Sequence, residues 1–441
     1  LLDKAMLDKN LFAGKKIALL WFWLEGKSTL NFLLNNGFVF EKLTVLDVKD
    51  QPELEEQGIA LRTGEQYLSH LEDFDIIFKS AGVPYSAELK PYQDKVLTQM
   101  QFFFDHYKGK VIAITASKWK STMTSLIYEL LKDAAFRVKL VWNIGKPVLD
   151  EIDFEEERDY VVCELSSYML EMLKKQNFIS VLWAIFPEHL DWHGGFEHYT
   201  QAKLNILKWS EQNFVLARTV QEFQLSEIYS NLHTYGQGGE STWADGVFTY
   251  QGEKLFSTED RLLLGEHNLQ NISLGIAVAK YLWINNDSIH QTIAHFHGLL
   301  HRLQLVGTFK GITFYDDAIS TTPDSTLEAL KTFGNKVWTL FLWGTDRGYD
   351  FKILVEKIKE LWIQNLVFFP PSGEKVRQLL SDFDWNMLST RDMDEAVRFA
   401  YQHTAPWKVC LLSTASPSYS NWKNFEEKGE LFQQAIKKYW G

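Results

Sequence analysis

A lysine and a hydroxyl side by side at the start of a helix can hold phosphate, and Thr115-Ala116-Ser117-Lys118-Trp119-Lys120-Ser121-Thr122 contains such a pair. The segment joins an apolar run, Lys110–Thr115, to a pattern in which Met123, Leu126, Ile127, Leu130 and Leu131 recur at helical spacing. A turn between strand and helix aims backbone N–H groups and the positive helix end at an anion. Lys120 would then neutralise phosphate charge while Ser121 reaches Mg²⁺. An exposed Lys-Ser at a helix start reads the same way, so the loop alone decides nothing. Glu164 ends a second apolar run, where a carboxylate is a metal ligand, a cap or half of an ion pair. His189 lies in Pro187-Glu188-His189-Leu190-Asp191-Trp192-His193, a cluster that could ligate metal or be a surface loop. Lys203, in a helical pattern, would by itself pass for a solvated lysine.

The elements that must position these groups alternate between strand and helix, which predicts parallel sheets covered by helices. The first segment reads as strand 16–21, helix 28–36, strand 43–48 and strand 75–79, ending at Ser80-Ala81-Gly82. The second reads as strand 110–115, helix 121–135, strands 160–165 and 181–185, and a long stretch ending in helix 269–282. The third carries strands near 312–315, 337–342, 366–369 and 408–412. This predicts three α/β domains with boundaries near residues 106 and 299. The first (1–106) and last (300–441) are Rossmann-like, and the central one (107–299) is of the P-loop ATPase type.

The 441 residues are 46% hydrophobic and 23% charged, the balance of a folded globular protein. A net charge of −12 argues against a general nucleic-acid binder. The apolar run Ile17–Leu24 is too short to span a bilayer, and its flanks are not those of a signal peptide. Cys163 and Cys410 both sit in apolar runs, as buried thiols of a reducing compartment would. The chain opens at Leu1, so a few residues precede it or an unusual start codon is used. A cytoplasmic monomer is expected.

In their order, these motifs resemble the Mur ligases. The likeness runs through Asn143-Ile144-Gly145, Glu164-Leu165-Ser166-Ser167, Glu188-His189-Leu190-Asp191-Trp192-His193, Gly265-Glu266-His267-Asn268 with Asn271, His301-Arg302 and Asn424-Phe425-Glu426. The resemblance implies ATP and two Mg²⁺ ions as cofactors. It assigns ATP to residues 116–122 (Ala116, Ser117, Lys118, Trp119, Lys120, Ser121 and Thr122) with Asn271, Arg302 and Asp317. Metal falls to Ser121, Glu164, His189 and Lys203, the last matching a lysine that the family carbamylates. Lys120, His189 and Lys203 would be catalytic. A UDP-sugar site is implied at Leu24, Glu25, Asp47, Lys49, Ser80 and Gly82, with muramoyl contacts at Asn143 and Ser166. Sites divided between domains imply closure before chemistry.

The short first domain and the run Ser413–Ser418 through Phe425 resemble the member that adds glutamate to UDP-N-acetylmuramoyl-L-alanine in peptidoglycan synthesis. Its glutamate pocket maps to Thr321, Arg347, Ser418 and Phe425. Arg347 stands where a lysine is usual and keeps the charge that grips a carboxylate. Asp316-Asp317-Ala318-Ile319-Ser320-Thr321 departs from the usual run and resembles ligases that add L-glutamate; the overall likeness favours D-glutamate. Other Mur-type ligases, a UDP-sugar-binding homologue without activity, and a simple P-loop hydrolase are the competing readings.

Trp21, Trp23, Trp119, Trp142 and Trp343 occupy positions where the family has glycine. Glycine serves there for positive φ or close approach to a ligand, and an indole beside Lys120 fills space a phosphate needs. Drift would scatter many residue types, and inactivation would not need five sites. UGA codons that encode glycine but are read as tryptophan would produce this pattern. The 26 glycines against about 31 at average usage fit it. Ala116, also a usual glycine, does not follow from it.

Overall fold

The computed structural model describes residues 7–141, 146–154, 158–174, 177–343, 345, 348–370, 372–380, 385–417 and 422–440. The chain forms two compact units, Leu1–Asp260 with Leu269–Ala294, and Arg261–Asn268 with His295–Gly441.

The first unit holds two sheets. In one, β1 (Lys16–Leu20), β2 (Lys42–Asp47), β3 (Ala60–Thr63), β4 (Ile76–Lys79) and β5 (Val96–Leu97) pair in parallel in the order β3-β2-β1-β4-β5. Apart from Lys16, β1 is buried throughout, as a parallel strand covered on both faces requires. Register sets Leu20 beside Leu46 and Lys79, so the loops after β1, β2 and β4 emerge together where the strand order reverses.

The second sheet has nine strands: β6 (Lys110–Thr115), β7 (Val138–Val141), β8 (Tyr160–Glu164), β9 (Asn177–Leu182), β10 (Ser210–Leu216), β11 (Leu232–Tyr235), β12 (Ser241–Ala244), β13 (Val247–Tyr250) and β14 (Glu253–Ser257). β6 lies between β8 and β9, and Ile114 pairs with both Glu164 and Val181. The expected strand 181–185 begins and ends earlier. Beyond β9 the chain stays tied to the end of β6 and its loop: Trp183 N–H bonds Thr115 O, and Ala184 O accepts from Ser117 N–H.

The antiparallel run β12–β14 was not expected. It is made by two hairpins whose two-residue loops, Asp245-Gly246 and Gln251-Gly252, all have positive φ, as tight hairpins require.

In the second unit, β15 (Gln304–Phe309) pairs antiparallel with β16 (Ile312–Asp316). β17 (Val337–Trp343), β18 (Asn365–Phe369), β19 (Asn386–Ser389) and β20 (Val409–Ala415) complete a six-stranded sheet, β15-β16-β20-β17-β18-β19. β15 was also missed; most of its residues are only half-buried, which weakens the apolar signal. Cys163 and Cys410 are free and buried in β8 and β20.

Within the first unit, Phe102 of the helix Gln99–His106 meets Phe12, Phe32, Phe38, Phe78 and Phe154 at ring separations of 5.5–6.4 Å. Phe154 belongs to the connection between β7 and β8, so this cluster joins the two sheets' territories. Phe102→Ala should cost about 3–5 kcal/mol in chemical unfolding of this unit, as expected for losing a fully buried aromatic.

Candidate active site

The loop after β6 is held from below by one helix, Phe196–Leu204. Tyr199 and Lys203, one turn apart, both project into it. The Tyr199 hydroxyl lies 2.7 Å from Ser117 Oγ, and Lys203 Nζ donates to Thr115 Oγ1 at 2.9 Å and Ala116 O at 2.8 Å. Thr115 in turn donates to Leu165 O at 2.7 Å, tying the loop to the end of β8.

Ser117 has no hydroxyl or amide to spare. Its Oγ accepts from Phe186 N–H at 2.8 Å, and its own N–H goes to Ala184 O. In this arrangement its side chain shapes the loop. Ala116 is fully buried, so only its backbone can serve a ligand. Lys118 and Trp119 are half-exposed. Trp119 caps the helix Lys120–Asp133 in a left-handed conformation, φ 69°. Lys120 Nζ folds back on Ala116 O and Ser117 O at 3.1 and 3.2 Å. Ser121 is buried at the first turn, and the Thr122 hydroxyl is buried with no hydrogen-bond partner among the described residues. Asn271 is fully buried on the helix Glu266–Tyr281.

Burial, and then the charge of Lys120, hold the Lys203 amine well below the usual lysine range. A neutral amine is the form that can react with CO₂. Glu164 is buried beside the loop, and its Oε2 has no partner among the described residues. An orphaned carboxylate oxygen of this kind suits a hard divalent cation. His189 has φ 53°, and burial keeps its imidazole below the ordinary value and thus neutral. Among the described residues no three His, Cys, Asp or Glu side chains gather as a ready-made metal site. Further oxygen ligands would have to come from Ser121, a modified Lys203, or the phosphates.

Ser166 caps a short helix by accepting from Met169 N–H, and Tyr168 beside it stacks on His193 and packs on Trp192. Trp192 Nε1 donates to Gly82 O at 2.9 Å, so the 187–193 cluster reaches the first sheet.

Two clefts open there. One is lined by Trp21, Trp23, Leu24, Glu25, Ser80, Gly82 and Ser166 among others. The second includes Asp47 and Lys49 and shares Trp21, Trp23 and Gly82. The expected sugar-nucleotide residues thus converge, although several are occupied in shaping the loops. Asp47 accepts from Phe22 and Lys49 N–H groups, Glu25 from Ala81 N–H, and Ser80 donates to Trp21 O. Sequence reasoning missed Lys79. Its buried ammonium donates to Val83 O at 2.6 Å, and burial lowers its pKa to about 8.

In the second unit, Asp317 follows β16 and is buried. It accepts from Ser413 Oγ at 2.7 Å and Leu303 N–H at 3.2 Å, and burial raises its pKa to about 6. Arg302 directly precedes Leu303, whose N–H bonds Asp317, and acts on Asp317 as a nearby cation. Thr321 and Phe425 precede or begin helices in the same unit, and Phe425 lies 6.2 Å from His301. Lys428, fully buried and unforeseen, donates to Thr414 Oγ1 at 2.7 Å. Asn143, Arg347 and Ser418, like Trp142, lie outside the described residues.

Residues 114–279 match the Mur ligase middle domain, and residues 301–416 match the Mur ligase glutamate ligase domain. A UDP-N-acetylmuramoylalanine–D-glutamate ligase of Geobacillus sp. is 32% identical over 95% of this chain and 98% of its own. One from Streptococcus agalactiae is 32% identical over 96% of both. The chain belongs to the Mur ligase family, whose members are ATP-dependent ligases. The fold agrees with UDP-N-acetylmuramate–alanine ligase of Thermotoga maritima (TM-score 0.61, 16% identity, 96% of this chain and 99% of that one). It agrees also with a MurF ligase of the same organism in complex with ADP (TM-score 0.58, 15% identity, 98% and 97%).

Burial lowers the His193 pKa to about 4. A depressed folded value means stability that is present above the unfolded value near 6.5 and lost as pH falls toward 4. The first unit should lose stability from this residue as pH falls from 6.5 toward 4. His193→Gln should flatten that part of the pH–stability curve in denaturant titrations.

Proposed function

We propose that the chain joins D-glutamate to UDP-N-acetylmuramoyl-L-alanine at the expense of ATP, in the cytoplasm, as a step of peptidoglycan synthesis. The reading rests above all on one juxtaposition: Lys120, Glu164 and the buried Lys203 gathered around a single loop. The relatives' shared name supports the substrate. The division of labour we infer has residues 1–106 binding the UDP-sugar, 107–299 binding ATP, and 300–441 binding the amino acid, with the chain acting as a monomer.

In this scheme the γ-phosphoryl group of ATP moves to the alanyl carboxylate, forming an acyl phosphate and releasing ADP. The glutamate amine then attacks the acyl carbon, phosphate leaves with its bonding pair, and the amine gives up a proton as the amide forms. Lys120 neutralises charge on the transferring group. Ser121, Glu164, His189 and a carbamylated Lys203 would hold two Mg²⁺ ions, which when bound supply electrophilic charge to the phosphate oxygens. Carbamylation would add CO₂ to the neutral amine with release of one proton, turning a donor into an anionic oxygen ligand. Leu24, Glu25, Asp47, Lys49, Ser80, Gly82, Asn143 and Ser166 take the sugar nucleotide. Thr321, Arg347, Ser418 and Phe425 take glutamate.

ADP release should require both UDP-N-acetylmuramoyl-L-alanine and D-glutamate. Faster release with L-glutamate would move the assignment to the L-adding ligases that the Ala318-Ile319-Ser320 run resembles, and turnover with no amino acid would overturn it. Lys203→Ala should lower kcat by roughly 10²-fold or more, the scale for losing one preorganised charged group. Small carboxylates should restore part of that loss.

A further inference from the structure

Tryptophan is 16 of the 441 residues, yet Trp21, Trp119, Trp283, Trp362 and Trp407 are five of the fifteen non-glycine residues with positive φ among those described. Their φ values are 68°, 69°, 62°, 52° and 68°. A bulky side chain in this region is an outlier, because its Cβ crowds the neighbouring carbonyl.

The surroundings of three of them show which residue the backbone is built for. Trp283 N–H bonds Lys280 O, and Ile284 N–H bonds Ala279 O. Trp362 N–H bonds Lys359 O, and Ile363 N–H bonds Ile358 O. This paired bonding is the left-handed helix stop that glycine normally occupies. The same pair recurs at Gly37, with Leu34 and Leu33, and at Gly58, with Glu55 and Leu54. Trp407 follows Pro406 in a turn closed by Lys408 N–H to Ala405 O, the pattern that calls for glycine at its third residue.

Among the described residues nothing in the packing offsets the strain. Trp283, Trp362 and Trp407 are 94%, 71% and 86% exposed, the reverse of where a large indole gains stability. Trp192, by contrast, has an ordinary conformation, donates its indole N–H and packs on Tyr168.

We propose that the polypeptide made in the cell carries glycine at positions 21, 119, 283, 362 and 407. The corresponding codons would be UGA, read as glycine by the source organism. Trp283, Trp362 and Trp407 had given no such signal in the sequence. Trp23 had, but its φ of −110° is open to any residue, so the backbone does not assign it.

Two consequences follow at the site. A glycine at position 119 would remove the indole from the residue that caps the helix next to Lys120. Glycine 21 removes the ring whose Cζ3 lies only 2.9 Å from where a Cβ on Gly82 would be, a wall common to both clefts of the first sheet. The inference rests on backbone geometry and is independent of which reaction the protein catalyses.

The test is peptide mass measurement on protein isolated from its native source. Trypsin yields residues 17–27, 281–302, 360–375 and 399–408, which report positions 21, 283, 362 and 407; a second protease reports position 119. Glycine masses at all five are expected, and a tryptophan mass at any of them overturns the assignment there. A recombinant comparison reads the same question physically. Trp283→Gly, Trp362→Gly and Trp407→Gly should each raise Tm by about 2 °C. An unchanged or lowered Tm at these exposed positions would count against glycine as the residue the fold was selected with.

Discussion

Thr115, Ala116 and Ser117 are all bonded to a single helix, and the site hangs on that clasp. Lys203 takes the first two and Tyr199 the third, from positions one turn apart on the helix Phe196–Leu204. A loop that must present its N–H groups to an anion cannot also bond them within a sheet. Its carbonyls and hydroxyls need partners from elsewhere, and the helix supplies them out of contact with water. Lys203 does this as a mostly neutral amine, since among the described residues no buried carboxylate bonds it directly. The same burial that secures the loop also gives the amine its reactivity.

A different arrangement supports the second unit. There Ser413 of β20 donates to Asp317 after β16, Lys428 donates to Thr414, and Asp316 bonds both His301 and Gln433. Burial pulls the His301 pKa down, but the Asp316 carboxylate 2.7 Å away carries it above the ordinary value. The result is a polar network with little freedom, in which Asp317 is turned inward rather than displayed. Lys79 does comparable work in the first sheet, where one buried cation fixes the turn between Ser80 and Val83.

How much of this could be read beforehand depended on whether the signal was local. The parallel strands announced themselves as short apolar runs ended by turns, and β6 matched to the residue. Lys120 and Ser121 were legible because a helix start after a strand is a local pattern. Tyr199 and Thr115 were not, since their roles appear only when the chain brings Ser117 and Leu165 to them across 82 and 50 positions. Asp245-Gly246 was a readable hairpin signal that the long central stretch concealed. The bonds that engage the Ser117 hydroxyl were equally hidden, because they come from Tyr199 and Phe186, far along the chain. Left-handed backbone at Trp283, Trp362 and Trp407 was invisible for a simpler reason: the residue type there points away from the conformation.

The hairpins after β11 also decide how the nine-stranded sheet ends. They carry it outward to β14, whose exposed edge begins Glu253-Lys254, with Glu253 further engaged by Lys280. At the opposite edge, β7 places Lys139 in an ion pair with Glu151. Charges on short terminal strands make them poor templates for another chain's backbone. A long, largely apolar sheet therefore closes both of its rims against fibrous self-association.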